Sequence, residues 1–199
     1  MAMPRTFVLI FVALALAGAL VGARTWAALS ATTASTGDSF ASGTVALADN
    51  DSGTAMLSLS AAVPGNSDSG CITVSYTGSL ASAVRLYGTT TGTGLDAYLD
   101  LKVTRGGFSG APPAFDSCTT FTADATDYIG SGSGVIYDGT LQGFPDGYAA
   151  GLVDPLAAGP EAWTTSEAHV YKFQITLQAN PSAQAKNATQ TFTWEARNT

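Results

Sequence analysis

The feature that most restricts the fold is an apolar alternation of period two, interrupted at short intervals by Gly, Pro, Asn and Asp. Leu95, Ala97, Leu99, Leu101 and Val103 alternate with Asp96, Tyr98, Asp100, Lys102 and Thr104. The stretch 168–177 repeats the pattern, with His169, Tyr171, Phe173, Ile175 and Leu177 on one side and Val170, Lys172, Gln174 and Thr176 on the other. Successive side chains of a strand point to opposite faces, so each run predicts a strand with one packed face and one wet face. Past the first residues, no stretch carries the longer period of a good helix.

The other alternating runs are shorter. Residues 40–48 predict a strand that ends in the turn cluster Asp49, Asn50, Asp51, Ser52 and Gly53, whose short polar side chains tolerate left-handed backbone. Residues 54–60 predict a second strand, closed by the turn Val63-Pro64-Gly65-Asn66. Residues 71–77 and 83–87, parted by Gly78 and Ser79, are expected to pair as antiparallel neighbours. Residues 118–122, 134–138 and 189–196 supply further candidates. The segment 138–167 is rich in Gly, Pro and Ala, and a connection of that length implies a special role or an extra strand. Seven or eight strands with frequent turns point to an all-β sandwich of jelly-roll or Greek-key type. No repeat of solenoid or propeller length occurs.

The chain opens on an apolar run from Thr6 to Ala23 behind a single charge at Arg5, which reads as an export signal. Thr25 and Ala27 place small residues at −3 and −1, so cleavage is expected between Ala27 and Ala28, with an uncleaved anchor as the alternative. This gives three parts: a signal peptide (1–27), an N-terminal donor-strand or flexible segment (28–38) and a β-sandwich domain (39–199). Removing 1–27 takes away Arg5 and Arg24 and no acid, which moves the formal charge from −7 to −9. An acidic, Lys/Arg-poor surface excludes nucleic acid and anionic membrane as expected partners. Export also places Cys71 and Cys118 in an oxidising compartment, where they are expected to form a structural disulfide.

Catalytic patterns are sparse. His169 is the sole histidine, and its position among inward residues favours a satisfied core or edge imidazole over a metal ligand. There is no H-E-x-x-H and no G-x-S-x-G elbow; Gly107-Phe108-Ser109-Gly110-Ala111 is a loose echo in a β context. Asp49 and Asp51 lack the acidic twelfth position of a helical calcium loop, and the glycines of 130–134 lack the Lys-Ser/Thr of a phosphate loop. Asn50-Asp51-Ser52 and Asn187-Ala188-Thr189 are formal glycosylation sequons. Catalytic residues, metal ligands and cofactors are therefore expected to be absent.

The signal ending Gly22-Ala23-Arg24-Thr25-Trp26-Ala27, residues 39–47, Val63-Pro64-Gly65-Asn66, residues 72–80, Val84-Arg85-Leu86, and the closing Gln190-Thr191-Phe192-Thr193-Trp194-Glu195-Ala196 form an ordered set. Taken together, these stretches resemble the TasA/camelysin family of exported bacterial surface proteins. The resemblance implies a jelly-roll sandwich, a dedicated signal peptidase and, for the matrix-forming branch, self-association into biofilm fibres at the cell surface. Other matrix proteins and glycans are further partners it brings into view. It also implies that the segment exposed by cleavage, here Ala28, Leu29, Ser30, Ala31, Thr32 and Thr33 within 28–36, adds as a strand to the next subunit. The camelysin branch, classified as metallopeptidases, gives one alternative reading, and a glycan-binding sandwich using exposed aromatics or the 139–163 loop gives another.

Overall fold

The computed structural model of the chain describes residues 30–33, 44–60, 62–153 and 162–198. The signal, the cleavage position between Ala27 and Ala28, and Leu29 lie outside them, as do 34–43, which held part of an expected strand. In chain order the strands are β1 (Ser30–Thr33), β2 (Leu47–Asp49), β3 (Ser67–Tyr76), β4 (Ser82–Gly92), β5 (Leu99–Phe108) and β6 (Phe121–Ala123). Then come β7 (Val135–Thr140), β8 (Leu152–Val153), β9 (Ala162–Trp163), β10 (Glu167–Leu177) and β11 (Ala188–Asn198). No helix among the described residues is long and apolar enough to cross a membrane.

The fold is an all-β sandwich of two antiparallel sheets. One sheet runs β1-β11-β4-β8, with β9 also on β4; the other runs β2-β3-β10-β5-β6, with β7 also on β5. The alternation read in β5 and β10 sets the interior. Leu99, Leu101, Val103, Tyr171, Phe173, Ile175 and Leu177 are buried, and they face Leu86, Trp194 and Ala196 of the other sheet. Phe173 links the two layers, with its ring 4.4 Å from Phe192 and 6.0 Å from Trp194. Such a fully buried aromatic contributes several kcal/mol, about 3–5 when cut to alanine.

Four expectations are corrected. Strands β3 and β4 are not a hairpin: each belongs to a different sheet, and the chain crosses between layers at residues 77–81. Buried Tyr76 holds that corner through its hydroxyl, which donates to the Leu80 carbonyl and bonds Ser82 Oγ at 2.8 Å. Residues 54–60 form no strand. Met56, Leu57 and Leu59 instead pack against the core, and Gly70 leaves the room: a Cβ there would lie 2.4 Å from Met56 Cγ. The run predicted from Leu95 begins with a 3-10 turn (Asp96–Tyr98), closed by the Tyr98 N–H donating to the Leu95 carbonyl, so the strand starts at Leu99. Of residues 44–48, only Leu47 and Ala48 belong to a strand.

The 138–167 segment does contain extra strands. The two-residue strands β8 and β9 pair with Arg85–Leu86 and Ser82–Ala83, and the Gly88 N–H donates to the Pro145 carbonyl. The long connection thus covers the edge of β4 that faces away from β11.

Candidate functional site

The backbone edges of the sheets are one place where this fold can make specific contacts. An uncovered edge presents free N–H and C=O groups to any extended segment. The two outer edges that matter here belong to β11 and β3.

Strand β11 pairs with β4 along its whole length, from Ala188 opposite Gly92 to Asn198 opposite Ser82. Its other edge is covered, among the described residues, by β1 over four positions, Ser30 opposite Arg197 through Thr33 opposite Trp194. Among the described residues, no strand covers 188–193 on that side. Below this uncovered half lies a groove of about 350 Å³, walled by Met56, Leu57 and Leu59 on one flank and by Leu177, Ala188 and Phe192 on the other. The Ser58 N–H donates to Asp68 Oδ2 at 2.7 Å, which ties the Met56 flank to β3.

The covered half of β11 is rigidly braced on its outer face. Glu195 is buried there, accepting from the Tyr87 hydroxyl at 2.7 Å and from Arg197 Nε at 2.7 Å. Burial, followed by the hydrogen bond and negative charge of Glu195, pushes the Tyr87 phenol up to about 12. The Arg197 guanidinium stacks 3.8 Å from the centre of the Tyr148 ring, and Arg85 lies 5.2 Å from the same ring while donating to the Ala149 carbonyl at 2.9 Å. The four backbone positions that receive β1 therefore include residues whose side chains are already fixed.

The β3 edge is saturated by other means. Among the described residues, strand β2 covers Val74–Tyr76. Below it the Thr73 N–H donates to Asn50 Oδ1 at 2.9 Å, the Cys71 N–H to the Asp116 carbonyl at 3.0 Å, and the Ser69 N–H to Asp68 Oδ1 at 2.9 Å. Above it the Thr77 N–H donates to the Ala46 carbonyl at 2.9 Å. The expected disulfide joins Cys71 to Cys118, with 5.2 Å between their Cα atoms, and anchors the loop that brings Asp116 to the edge. The Asp49–Gly53 cluster forms the expected turn: Asp51 Oδ1 accepts from the Gly53 N–H at 2.7 Å, and Ser52 and Gly53 have φ of 51° and 76°. Burial first, then the neighbouring Asp51 charge, raises the Asp49 carboxyl despite the Asp51 N–H that it accepts.

His169 lies in a polar chain that begins at a residue the sequence reading passed over. Arg105 continues the inward parity of Leu99, Leu101 and Val103, and is buried. One guanidinium nitrogen lies 2.8 Å from His169 Nδ1 and another 3.5 Å from Asp124 Oδ2, with the Tyr128 hydroxyl at 3.3 Å. A guanidinium can only donate, so Nδ1 accepts and the neutral imidazole carries its proton on Nε2, which donates to Glu167 Oε1 at 2.9 Å. Burial would raise the Glu167 carboxyl, but the Thr164 N–H and His169 outweigh it and hold the group below its ordinary value. The imidazole also packs 4.4 Å from the ring of buried Trp163. This arrangement fastens the 162–167 loop to β5 and β10.

Other candidate positions serve the backbone. Asn50 accepts from Thr73, and Asn187 Oδ1 from the Thr93 N–H at 3.2 Å, so both sequon side chains act as main-chain acceptors. The Gly130 N–H donates to Asp127 Oδ1 at 2.7 Å, which closes a turn in the glycine-rich loop. The Ser109 N–H bonds the Thr120 carbonyl at 3.0 Å at the end of β5. Among the described residues, no three of His, Cys, Asp and Glu converge as a metal ion requires. No family model and no curated protein matches the chain.

Proposed function

We propose that this chain is an exported structural subunit that self-associates by strand addition into cell-surface or biofilm-matrix fibres, in the manner of the TasA/camelysin family it resembles. The observation that carries the reading is the edge of β11, on which, among the described residues, the four of β1 lie over one half with an apolar groove under the rest. Within one chain β1 occupies the upper part of this edge. The same segment from a second copy offers backbone to the same edge. Each net hydrogen bond in such a short strand is worth only about 0.5–1.5 kcal/mol, so release of β1 from its own sheet is inexpensive. The clamp of Tyr87, Glu195, Arg197 and Tyr148 keeps the receiving strand in shape when β1 leaves.

The test is deletion of 28–33 from the mature chain, with polymerisation followed by light scattering and negative-stain electron microscopy. The full mature chain should form filaments and the shortened chain should remain monomeric. A full chain that stays monomeric at high concentration, or a shortened chain that polymerises equally well, overturns the reading.

A further inference from the structure

We propose that the groove beneath β11 is a binding site for a free fatty acid, with the alkyl chain between the two sheets and the carboxylate at Lys186. Both layers of the sandwich wall this groove. Buried Leu99, Ile175 and Leu177 belong to one sheet, Ala188 and Phe192 to the other, and the 55–59 stretch forms the outer flank. Its volume of about 350 Å³ falls within the roughly 300–1,000 Å³ of concave apolar sites that take small molecules. The site goes beyond strand addition to β11 and stands without it.

The lining decides what the depth of the groove can hold. Among the described residues, no side chain on its walls has a buried polar atom in want of a partner. The Gln190 amide is already taken, accepting from the Thr90 hydroxyl and donating to the Thr191 carbonyl, and Ser58 and Thr189 are exposed. A sugar or nucleotide would give up hydrogen bonds to water here and regain none, whereas an alkyl chain gains in proportion to the apolar area it buries. A peptide strand would carry its own N–H and C=O groups into the same depth, so a strand belongs on the β11 edge and an alkyl chain below it.

Charge selects the head group. Leu95 and Ala188 both line the groove, and Lys186 stands beside them. Its Nζ donates to the Thr93 carbonyl at 3.3 Å and lies 5.9 Å from the centre of the Tyr98 ring, which holds the ammonium against the 93–98 turn that carries Leu95. Among the described residues, the ion pairs join Lys102 to Asp138, Arg105 to Asp124, His169 to Glu167 and Arg197 to Glu195, and none uses Lys186. A cation with no carboxylate partner beside an apolar groove complements an alkyl chain that ends in an anion.

The experiment titrates the mature chain with decanoate by calorimetry, with decanol, decyltrimethylammonium and phosphatidylglycerol vesicles in parallel. Decanoate should saturate a single site about threefold more tightly than decanol, the scale of an exposed ion pair, and decyltrimethylammonium should bind more weakly than either. Lys186→Gln should erase the preference for decanoate over decanol while decanol still binds. Ala55→Trp, at an exposed position on the outer flank, should fill the groove and weaken decanoate about tenfold. Without any substitution, the methyl resonances of Met56 and Leu177 should move during the titration while those of Val103, in the core away from the groove, stay in place. Absence of saturable binding, equal affinity for the anionic and cationic probes, a preference that survives Lys186→Gln, or resonances of Met56 and Leu177 that do not move would each overturn the site. Unchanged affinity in folded Ala55→Trp overturns it too. Binding to vesicles alone assigns the surface to a membrane, and decanoate affinity that falls as chain concentration rises assigns the groove to a second copy; either result also overturns it.

Discussion

The outer edges of β3 and β11 solve the same problem in opposite ways. On β3 a short strand, two side-chain acceptors and a stapled loop satisfy the outward N–H groups one by one. On β11 a single four-residue strand covers one half, and among the described residues no strand covers the other half above its groove. An edge closed by scattered local contacts cannot be displaced by one incoming strand, whereas an edge closed by one short strand can. In the assembly proposed above, one edge is available for exchange and the other is closed, which favours linear over branched association.

The strongest way to break this contrast is to remove the staple. Cys71→Ala with Cys118→Ala opens a loop of sequence separation 47 and should cost roughly 4 kcal/mol, read by urea unfolding of the purified domain. A cost below about 1 kcal/mol would mean that the β3 edge is held without the disulfide. Next comes Gly70→Ala, whose Cβ would sit 2.7 Å from the Met56 carbonyl oxygen and must push the 54–60 flank off β3. A loss of about 1–3 kcal/mol is expected, together with slower filament growth because the groove wall moves. Growth unchanged at that destabilisation would separate the groove from assembly.

Asn50→Ala tests the β3 closure at one amide. It should cost about 1 kcal/mol and raise exchange at Thr73 with little change at Cys71, since their acceptors come from different loops. The smallest effect concerns the β11 brace. The Tyr87 phenol lies near 12 in the folded chain against an ordinary 10, so its contribution to stability is full below pH 10 and is lost as pH rises through about 12. Tyr87→Phe should remove that part of the alkaline fall, measured as thermal midpoints across the range. An identical alkaline profile in the variant would show that Glu195 is held by Arg197 alone.

Much of the sandwich was legible because β5, β10 and β11 are long enough for period two to declare itself, and the alternation names the inward faces of β5 and β10. Partnership was not legible. The spacing of 71–77 and 83–87 looks like a hairpin, but Tyr76 and Gly78 turn the chain between layers, and local pattern carries no signal for that crossing. Residues 54–60 imitate a strand because Met56, Leu57 and Leu59 serve a groove wall rather than a ladder. Arg105 was reachable by extending the inward parity two residues past Val103, yet a charged side chain at that position argues against itself until its partners are seen. The edge closures were hidden for a simpler reason: Asn50 and Asp68 have the composition of ordinary turns, and only the fold places their oxygens beside β3.

The strand order also governs when the molecule can fold. Strand β10 is the shared neighbour of β3 and β5, and β11 is the long neighbour of β4, so each sheet waits for the final stretch of chain to arrive. Ser67 meets Thr176 only after about a hundred intervening residues, a separation that slows folding to milliseconds or longer. A chain emerging from its N-terminal end therefore spends that interval with neither layer closed. Cys71 and Cys118 both precede β10, and their bond can form during the wait, shrinking the range of shapes available before the last two strands complete the structure.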